Sequence, residues 1–286
     1  MTDRRRRHTG RRLLILLLVL AALAGLFWWQ QNSLVTITYP IPGAPEGLQG
    51  YRIAVVSDLH GKEFGPDNSR LLELVENLDP DCIALTGDLV DRIGTEDQLD
   101  RLPALARRFC AIAPTYYVTG NHEWAANCVP ELKELLTENG VTVLTNDFIL
   151  EDRNGSTLAI AGVDDPNGLA GQKTGDVLRR EIDADCTVLL AHRDTVETYD
   201  GWGYDLILCG HGHGGMVRIP FLDRGVISSK HTLFPEYDGG CYPLSDGGRC
   251  LVSRGLGNNP IPYEPFQSLR TFRLFNRPEV PLAVLE

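Results

Sequence analysis

The chain has 286 residues, of which 43% are hydrophobic and 23% are charged, as is usual for a folded globular protein. Its net charge is −11, but residues 1–12 hold six Arg and one Asp, which leaves 21 basic and 37 acidic residues, a charge of −16, for the remainder. A net charge this negative argues against general nucleic-acid binding, because contacts to phosphate groups need Lys and Arg. Bound divalent metals would reverse the sign locally, so a small anionic substrate is compatible with this charge.

The first predicted element is an apolar segment of 17 residues, Leu13–Trp29. As a helix it spans about 26 Å, at the short end for a bilayer crossing. The Arg-rich flank and the closing Trp pair predict a transmembrane anchor with residues 1–12 as a basic cytosolic tail and the rest of the chain extracytoplasmic. The A-L-A at 22–24 has the form of a cleavage site and the Arg pair at 11–12 that of a twin-Arg signal, so a cleaved signal peptide is the alternative.

Residues 30–50 are polar and contain Pro, and they predict a flexible spacer around one strand-like piece, Leu34–Tyr39. A flexible spacer of this length has a root-mean-square span of roughly 25 Å. From Tyr51 onward, strand-length apolar runs alternate with helix-period segments, which predicts an α/β fold with mainly parallel strands. Residues 216–274 are richer in Gly and Pro, which predicts antiparallel pairing in part of a second sheet.

The predicted strands and helices follow one another closely. The strands are Arg52–Val56, Cys82–Thr86, Thr115–Thr119, Thr157–Val163, Thr187–Ala191 and Asp205–Cys209, and the helices are Ser69–Leu78, Gln98–Phe109 and Val129–Asn139. Polar clusters follow five of these strands, namely S-D-L-H-G (57–61), G-D (87–88), G-N-H-E (120–123), H-R-D (192–194) and G-H-G-H (210–213). Because functional residues of open α/β sheets gather at the carboxyl ends of strands, we expect these clusters at one edge.

Metal-ligand side chains dominate these clusters, which hold five of the seven His. The candidates are Asp58, His60, Asp88, Asn121, His122, His192, His211 and His213. His, carboxylate and amide ligands without Cys suit Mn, Fe, Zn, Co or Ni. They are too many for one ion, so we predict two divalent ions that share a carboxylate, an arrangement suited to phosphorus chemistry.

Two other motifs, of a zinc protease and of a dinucleotide-binding site, are only partly matched by the sequence. The H-E at 122–123 is not completed to H-E-x-x-H, because position 126 is Ala126. The glycines of residues 210–215 match G-x-G-x-x-G, but the following M-V-R-I-P does not begin a helix, as a dinucleotide site requires.

In order and spacing, the five motifs resemble those of the calcineurin-like metallophosphoesterases. The S-R-G-L-G at 253–257 and the R-L-F-N-R-P-E-V at 273–280 resemble the membrane-anchored bacterial branch. The chain departs from the family pattern at Gly212, where Thr is commoner, and at Glu123, where Asp is commoner, and neither change removes a ligand. The resemblance implies a four-layer α/β/β/α sandwich over residues 51–286, preceded by one transmembrane helix.

The resemblance also implies a role for each candidate. Asp58, His60 and His213 hold the first metal, Asn121, His192 and His211 hold the second, and Asp88 bridges both. A metal-bridging hydroxide attacks phosphorus in line. His122 is not a ligand and stabilises charge on the phosphoryl oxygens or protonates the leaving oxygen.

We expect a metal-dependent phosphodiesterase or pyrophosphohydrolase that acts on a membrane-surface or envelope substrate, for example a lipid-linked phosphate ester. A phosphomonoesterase or phosphoprotein phosphatase is the alternative, since both reactions use the same pair of ions. An inactive metal-binding adaptor is a third hypothesis, and it predicts lost ligands, which this sequence does not show. An alternative to a membrane-surface substrate is that the anchor only retains a broad-specificity enzyme outside the cytosol.

The seven Cys form no C-x-x-C pair, so a Cys-type zinc site is not expected. Cys82, Cys186 and Cys209 lie in predicted strands and are expected to be buried thiols. Cys241 and Cys250 flank a Gly-rich segment and predict either a disulfide or two free thiols. A disulfide there would close a short loop and contribute about 2–3 kcal/mol.

Overall fold

A computed structural model of the chain describes residues 2–168, 174–228, 232–258 and 270–286, with side chains from residue 10 onward. The helices of this described part are α1 (Thr2–Asn32), α2 (Ser69–Asn77), α3 (Thr95–Ile112), α4 (Asn121–Ala125), α5 (Val129–Glu138), α6 (Gly175–Arg179) and α7 (Val196–Tyr199). The described strands form two six-stranded sheets and one short hairpin. The alternation of strands and helices confirms the predicted α/β class.

The first sheet combines the early part of the chain with its last residues. Its spatial order is β1 (Thr38–Ile41), β14 (Leu282–Leu285), β2 (Arg52–Val56), β3 (Cys82–Leu85), β4 (Thr115–Tyr117) and β5 (Thr142–Val143). Strands β2 to β5 pair in parallel, and β14 runs antiparallel to β2. The carboxyl ends of β2, β3 and β4 therefore lie at one edge.

The second sheet is built from the middle of the chain. Its spatial order is β12 (Gly240–Pro243), β13 (Arg249–Val252), β9 (Leu206–Cys209), β8 (Cys186–Leu190), β7 (Ser156–Gly162) and β6 (Asp147–Arg153). Both outer pairs, β12–β13 and β6–β7, are antiparallel, and so is the hairpin of β10 (Arg218–Ile219) and β11 (Arg224–Gly225). The antiparallel pairing predicted within 216–274 is confirmed for the described residues of that range; residues 229–231 and 259–269 lie outside them.

Three hydrophobic layers hold the two sheets and the helices together. Ile53 and Val55 of β2 face the second sheet, whereas Ala54 and Val56 face α2, α3 and α5. This alternation follows from the two-residue period of a strand, and because β2 is covered on both faces, it is apolar from Ile53 to Val56. A third layer packs the outer face of the second sheet against α6 and α7. The order of layers is α/β/β/α, as the family resemblance implied.

The last turn of α1 and the residues that follow it are packed against the last residues of the chain. The Gln30 side chain is 4% exposed and accepts a hydrogen bond from Phe275 N at 2.6 Å. The Arg277 guanidinium lies 4.7 Å from the Trp29 ring centroid, and β1 pairs with β14. The prediction of a flexible spacer at 30–50 is therefore wrong, because hydrogen bonds join this segment to the last residues of the chain. The strand expected at Leu34–Tyr39 begins later, at Thr38.

None of the seven Cys, all of which lie in the described part of the chain, is disulfide-bonded. Cys241 pairs with Leu251 across the β12–β13 ladder, and it packs against the layer between the sheets. Cys250 belongs to the opposite face, with its sulfur 3.8 Å from that of Cys209. The Cys241–Cys250 disulfide is therefore not formed, because successive strand residues point to opposite faces.

Candidate metal centre

All eight candidate residues lie at the carboxyl ends of five strands, three from the first sheet and two from the second. Asp58 and His60 follow β2, Asp88 follows β3, Asn121 and His122 follow β4, His192 follows β8, and His211 and His213 follow β9. Six of the eight are buried, while Asn121 and His122 are half-buried. The site is therefore a cluster of polar side chains at the common edge of both sheets.

The first group of ligand-type atoms comes from Asp58, His60 and His213. His60 Nε2 lies 3.2 Å from His213 Nε2, which in turn lies 3.5 Å from Asp58 Oδ1. The second group surrounds His192, whose Nε2 lies 3.2 Å from His211 Nδ1 and 3.0 Å from Asn121 Oδ1.

Asp88 lies between the two groups. Its Oδ2 is 3.3 Å from His192 Nε2 and 3.7 Å from His60 Nε2. One carboxylate thus reaches side chains of both groups, which is the arrangement that two ions sharing a ligand require.

The spacing of these atoms fits metal ions. Donor atoms that surround an ion at about 2.1 Å lie about 3.0–3.4 Å from one another. The closest nitrogen pairs, His60–His213 and His192–His211, are each 3.2 Å apart. Two imidazole nitrogens that face each other at this distance either form an N–H···N hydrogen bond or share a metal ion.

The electrostatics of the cluster also favour cations. Burial lowers the pKa of His192, but Asp88, Asp58 and Asp165 raise it overall to about 10. Burial raises the pKa of Asp88, yet His192, His60 and His122 hold it well below its ordinary value. Asp88 therefore stays ionised at neutral pH and favours positive charge beside it, whereas burial raises the pKa of Asp58 to about 6.

The backbone at the site is strained. Asp58, His60, Asp88, His211 and His213 all have φ between 49° and 71°, a region that residues with a side chain rarely occupy. Gly120 allows a close approach at this point, because a Cβ there would lie 2.2 Å from Asp88 Oδ1. Such clustering of strained residues is typical of functional sites held by the surrounding structure.

Several supporting residues were not predicted from the sequence. Glu123, fully buried, accepts hydrogen bonds from the backbone N of Asp88 at 3.1 Å and of Leu89 at 2.6 Å, and so it fixes the loop that carries Asp88. His192 Nδ1 lies 2.9 Å from Thr86 O, which directs Nε2 toward the other ligands. The G-N-H-E motif contains Glu123, but its partners come from a loop 34 to 35 residues earlier in the chain.

Two buried or half-buried arginines flank the site. Arg193 lies 3.2 Å from His211 Nε2 and forms an ion pair with Asp165. Arg273 lies 3.2 Å from His213 Nδ1 and is 60 residues distant in sequence. Burial together with the positive charge of Arg273 lowers the pKa of His213 well below its usual value.

His122 lies beside the ligand groups with a partner of its own. Its Nδ1 is 3.0 Å from Asp91 Oδ1, and its backbone N donates to Asp88 Oδ1 at 2.8 Å. Burial lowers the pKa of His122, but the Asp91 bond and the charge of Asp88 raise it overall. A protonated imidazole held in this way can donate a proton.

This fold and this cluster of candidate metal ligands are those of a metallophosphoesterase domain. The chain belongs to the calcineurin-like phosphoesterase family, whose sequence pattern matches residues 51–215, more than half of the chain. Enzymes of this family use divalent metals, and the ligand groups described above provide candidate sites for them.

The chain is similar to several bacterial and animal proteins. It is 27% identical to the metallophosphoesterase YkuE of Bacillus subtilis over 85% of this chain and 81% of that protein. It is 28% identical to a metallophosphoesterase of Aquifex aeolicus over 85% of this chain and 87% of that protein. It is 27% identical to a "Transmembrane protein with metallophosphoesterase domain" of Danio rerio over 90% of this chain, which spans only 58% of that longer protein.

Solved structures share the fold at low sequence identity. The NAD nucleotidase NadN of Haemophilus influenzae superposes with a TM-score of 0.51 at 15% identity, over 73% of this chain and 46% of that one. The sulfate thiohydrolase SoxB of Thermus thermophilus gives a TM-score of 0.51 at 15% identity, over 76% of this chain and 53% of that one. These likenesses show the fold alone.

Proposed function

We propose that the chain hydrolyses phosphodiesters or diphosphates with two divalent ions. Asp58, His60 and His213 would hold one ion, Asn121, His192 and His211 the other, and Asp88 both. The observation that carries this proposal is the position of Asp88, within 3.7 Å of one ligand group and 3.3 Å of the other. The ions, when bound, supply an activated nucleophile and stabilise charge on the phosphoryl oxygens.

The remaining chemistry belongs to the side chains of the protein. His122 would protonate the leaving oxygen or stabilise charge on the phosphoryl group, and Asp91 would hold its ring through Nδ1. Glu123 would position Asp88 by bonding its loop. Mn, Fe, Zn, Co and Ni all suit this set of nitrogen and oxygen ligands.

A diester or diphosphate has a second substituent that needs space, and a cleft of ≈ 470 Å³ opens beside His60. This space supports the diesterase over the alternative, a phosphomonoesterase or phosphoprotein phosphatase. An inactive adaptor is disfavoured because all eight side chains assigned a role are present and converge.

The reaction can be tested with bis-p-nitrophenyl phosphate and p-nitrophenyl phosphate, assayed with Mn²⁺ and with a chelator. We expect metal-dependent turnover of both and a severalfold higher kcat/KM for the diester, because the cleft accepts the second ester group. A preference for the monoester would favour the phosphatase alternative. Absence of metal-dependent turnover with either ester would favour the inactive adaptor.

Helix α1 is proposed to anchor the protein in a membrane. One helix in the described part of the chain, Gly10–Asn32, is long and apolar enough for this, and its apolar side chains are exposed from Leu13 to Trp29. The packing of its last turn on the catalytic body supports a retained helix over a cleaved signal peptide. The name of the Danio rerio relative includes a transmembrane description, which also supports this proposal.

The Arg-rich tail predicts that the catalytic body faces away from the cytosol. We expect protease added to intact spheroplasts to digest the body, while a cytosolic marker protein stays intact. Western blots against a C-terminal tag, with detergent-lysed spheroplasts as the positive control, would measure this. Complete protection in sealed, right-side-out spheroplasts would place the body in the cytosol and contradict the prediction.

A further inference from the structure

The cleft beside the metal centre extends to the end of the apolar helix. His60, Lys62 and Arg270 line it at the metal side, and Phe27, Gln31 and Phe272 line it toward α1. Its volume of ≈ 470 Å³ is within the range of small-molecule sites. The cleft therefore joins the ligands of the metal centre to the segment proposed to cross the membrane.

The two ends of the cleft differ in chemistry. Arg270 lies at one end, where its guanidinium pairs with Asp91 and still has N–H groups for a further acceptor, and Lys62 Nζ there donates to Asn258 Oδ1 at 2.8 Å. At the other end the rings of Phe27 and Phe272 lie 6.0 Å apart, and these side chains are 44% and 51% exposed. An anionic group suits the first end and a hydrocarbon chain suits the second.

Hydrogen bonds fix the helix relative to the cleft. Gln31 O accepts a bond from Lys62 Nζ at 2.5 Å, and Gln31 Oε1 accepts one from Arg273 N at 2.9 Å. Phe27 lies one helical turn before Gln31 and immediately before the Trp pair that closes the apolar run. Trp at this position marks the membrane interface, so the apolar end of the cleft opens at the depth of the bilayer surface.

We propose that this cleft binds a phosphate ester that carries a long alkyl or acyl chain, with the phosphate toward His60 and the chain between Phe27 and Phe272. This inference rests on the phosphoesterase function proposed above and names its substrate class. The source of the ester is the membrane that holds α1, because the apolar end of the cleft faces that membrane. Helix α1 is then one wall of the substrate site as well as an anchor.

Simple packing of Phe27 on Phe272 is the competing explanation of this contact. Packing that only fixes the helix predicts equal effects of a substitution on substrates with and without an alkyl chain. A substrate chain in the cleft predicts an effect that depends on the chain.

The test compares p-nitrophenyl hexyl phosphate with p-nitrophenyl methyl phosphate, using the full-length chain in dodecyl maltoside. We expect the wild-type kcat/KM to favour the hexyl ester roughly tenfold or more, because each methylene that leaves water favours binding severalfold. Phe272→Ser and Phe27→Ala should each lower this ratio at least about fivefold, since they remove apolar surface from the cleft. Leu150→Ser, at an exposed residue of β6, is the matched control and should leave the ratio unchanged.

A second measurement does not depend on catalysis. With chelator present, saturation-transfer NMR of hexyl methyl phosphate should show contact of the hexyl chain with the wild-type protein and less contact with Phe272→Ser. A wild-type ratio near one, or a ratio that both Phe variants leave unchanged, would overturn the cleft proposal while the phosphoesterase function stands. Loss of metal-dependent turnover with both esters would instead overturn the phosphoesterase function, and the NMR measurement would still decide whether the cleft binds the chain.

Discussion

Asp88→Asn is expected to abolish hydrolysis and to weaken metal binding in both ligand groups. The Asp88 carboxylate is 1% exposed, and its Oδ2 lies 3.3 Å from His192 Nε2 and 3.7 Å from His60 Nε2. Its other oxygen accepts the His122 N–H at 2.8 Å. An Asn amide would therefore direct its NH₂ either at this donor or at the ions, and it would lack the negative charge that both ions need.

We expect the loss of activity to be on the order of 10⁴-fold, as for other groups on which a whole catalytic unit depends. Metal content of the purified variant, measured by inductively coupled plasma mass spectrometry, should fall below two ions per chain. Asp238→Asn is a matched control, because Asp238 is also a buried carboxylate and pairs with Arg218 outside the ligand groups. If Asp88→Asn retained two tightly bound ions, the bridging role would be refuted.

The convergence of the candidate ligands could be predicted from the sequence, because their positions follow from chain order. His60 and His211 are far apart in sequence, but each lies a few residues after the end of a largely apolar, buried strand. Parallel strands place such residues at one edge, so the motifs alone indicate the cluster. The division of ligands between two ions came from the family resemblance and stays a prediction.

The supporting contacts could not be predicted in the same way. Arg273 begins the R-L-F-N-R-P-E-V segment that carries part of the family resemblance, but that segment does not indicate that its guanidinium reaches His213 across 60 residues of sequence. The polar residues 30–33 resemble a linker in composition, yet their partners are Lys62 and residues 273–277. Local composition indicates which kinds of hydrogen bond a side chain can form, whereas its actual partner depends on the fold.

Strand register decides between the two alternatives left open for Cys241 and Cys250. Cys241 and Cys250 are separated by a Gly-rich loop, and their sequence spacing alone allows a disulfide. In the β12–β13 ladder each is paired with the neighbour of the other, which turns their side chains to opposite faces. A shift of one residue in strand register would have put them on the same face.

His122→Ala is expected to slow hydrolysis by about 10²–10⁴-fold while both metals stay bound, as removal of a general acid would. The His122 ring is held by Asp91, and the contact to Asp88 comes from the backbone N–H, which the Ala variant keeps. The ligand groups around Asp58 and His192 should therefore remain intact.

The identity of the leaving group distinguishes the two roles open to His122. A phenol with a low pKa leaves without protonation, whereas an alkoxide needs a proton, so a general acid predicts a larger loss with an alkyl leaving group than with p-nitrophenol. Asp91→Asn should show the same dependence with a smaller loss, because Asp91 acts by holding the ring. Equal losses for both leaving groups would assign His122 to charge stabilisation on the phosphoryl oxygens. An empty metal site in His122→Ala would instead show that His122 is a ligand. A ring nitrogen of His122 lies within 4.8 Å of the ligand atoms of His60 and Asp88, so its position allows this role.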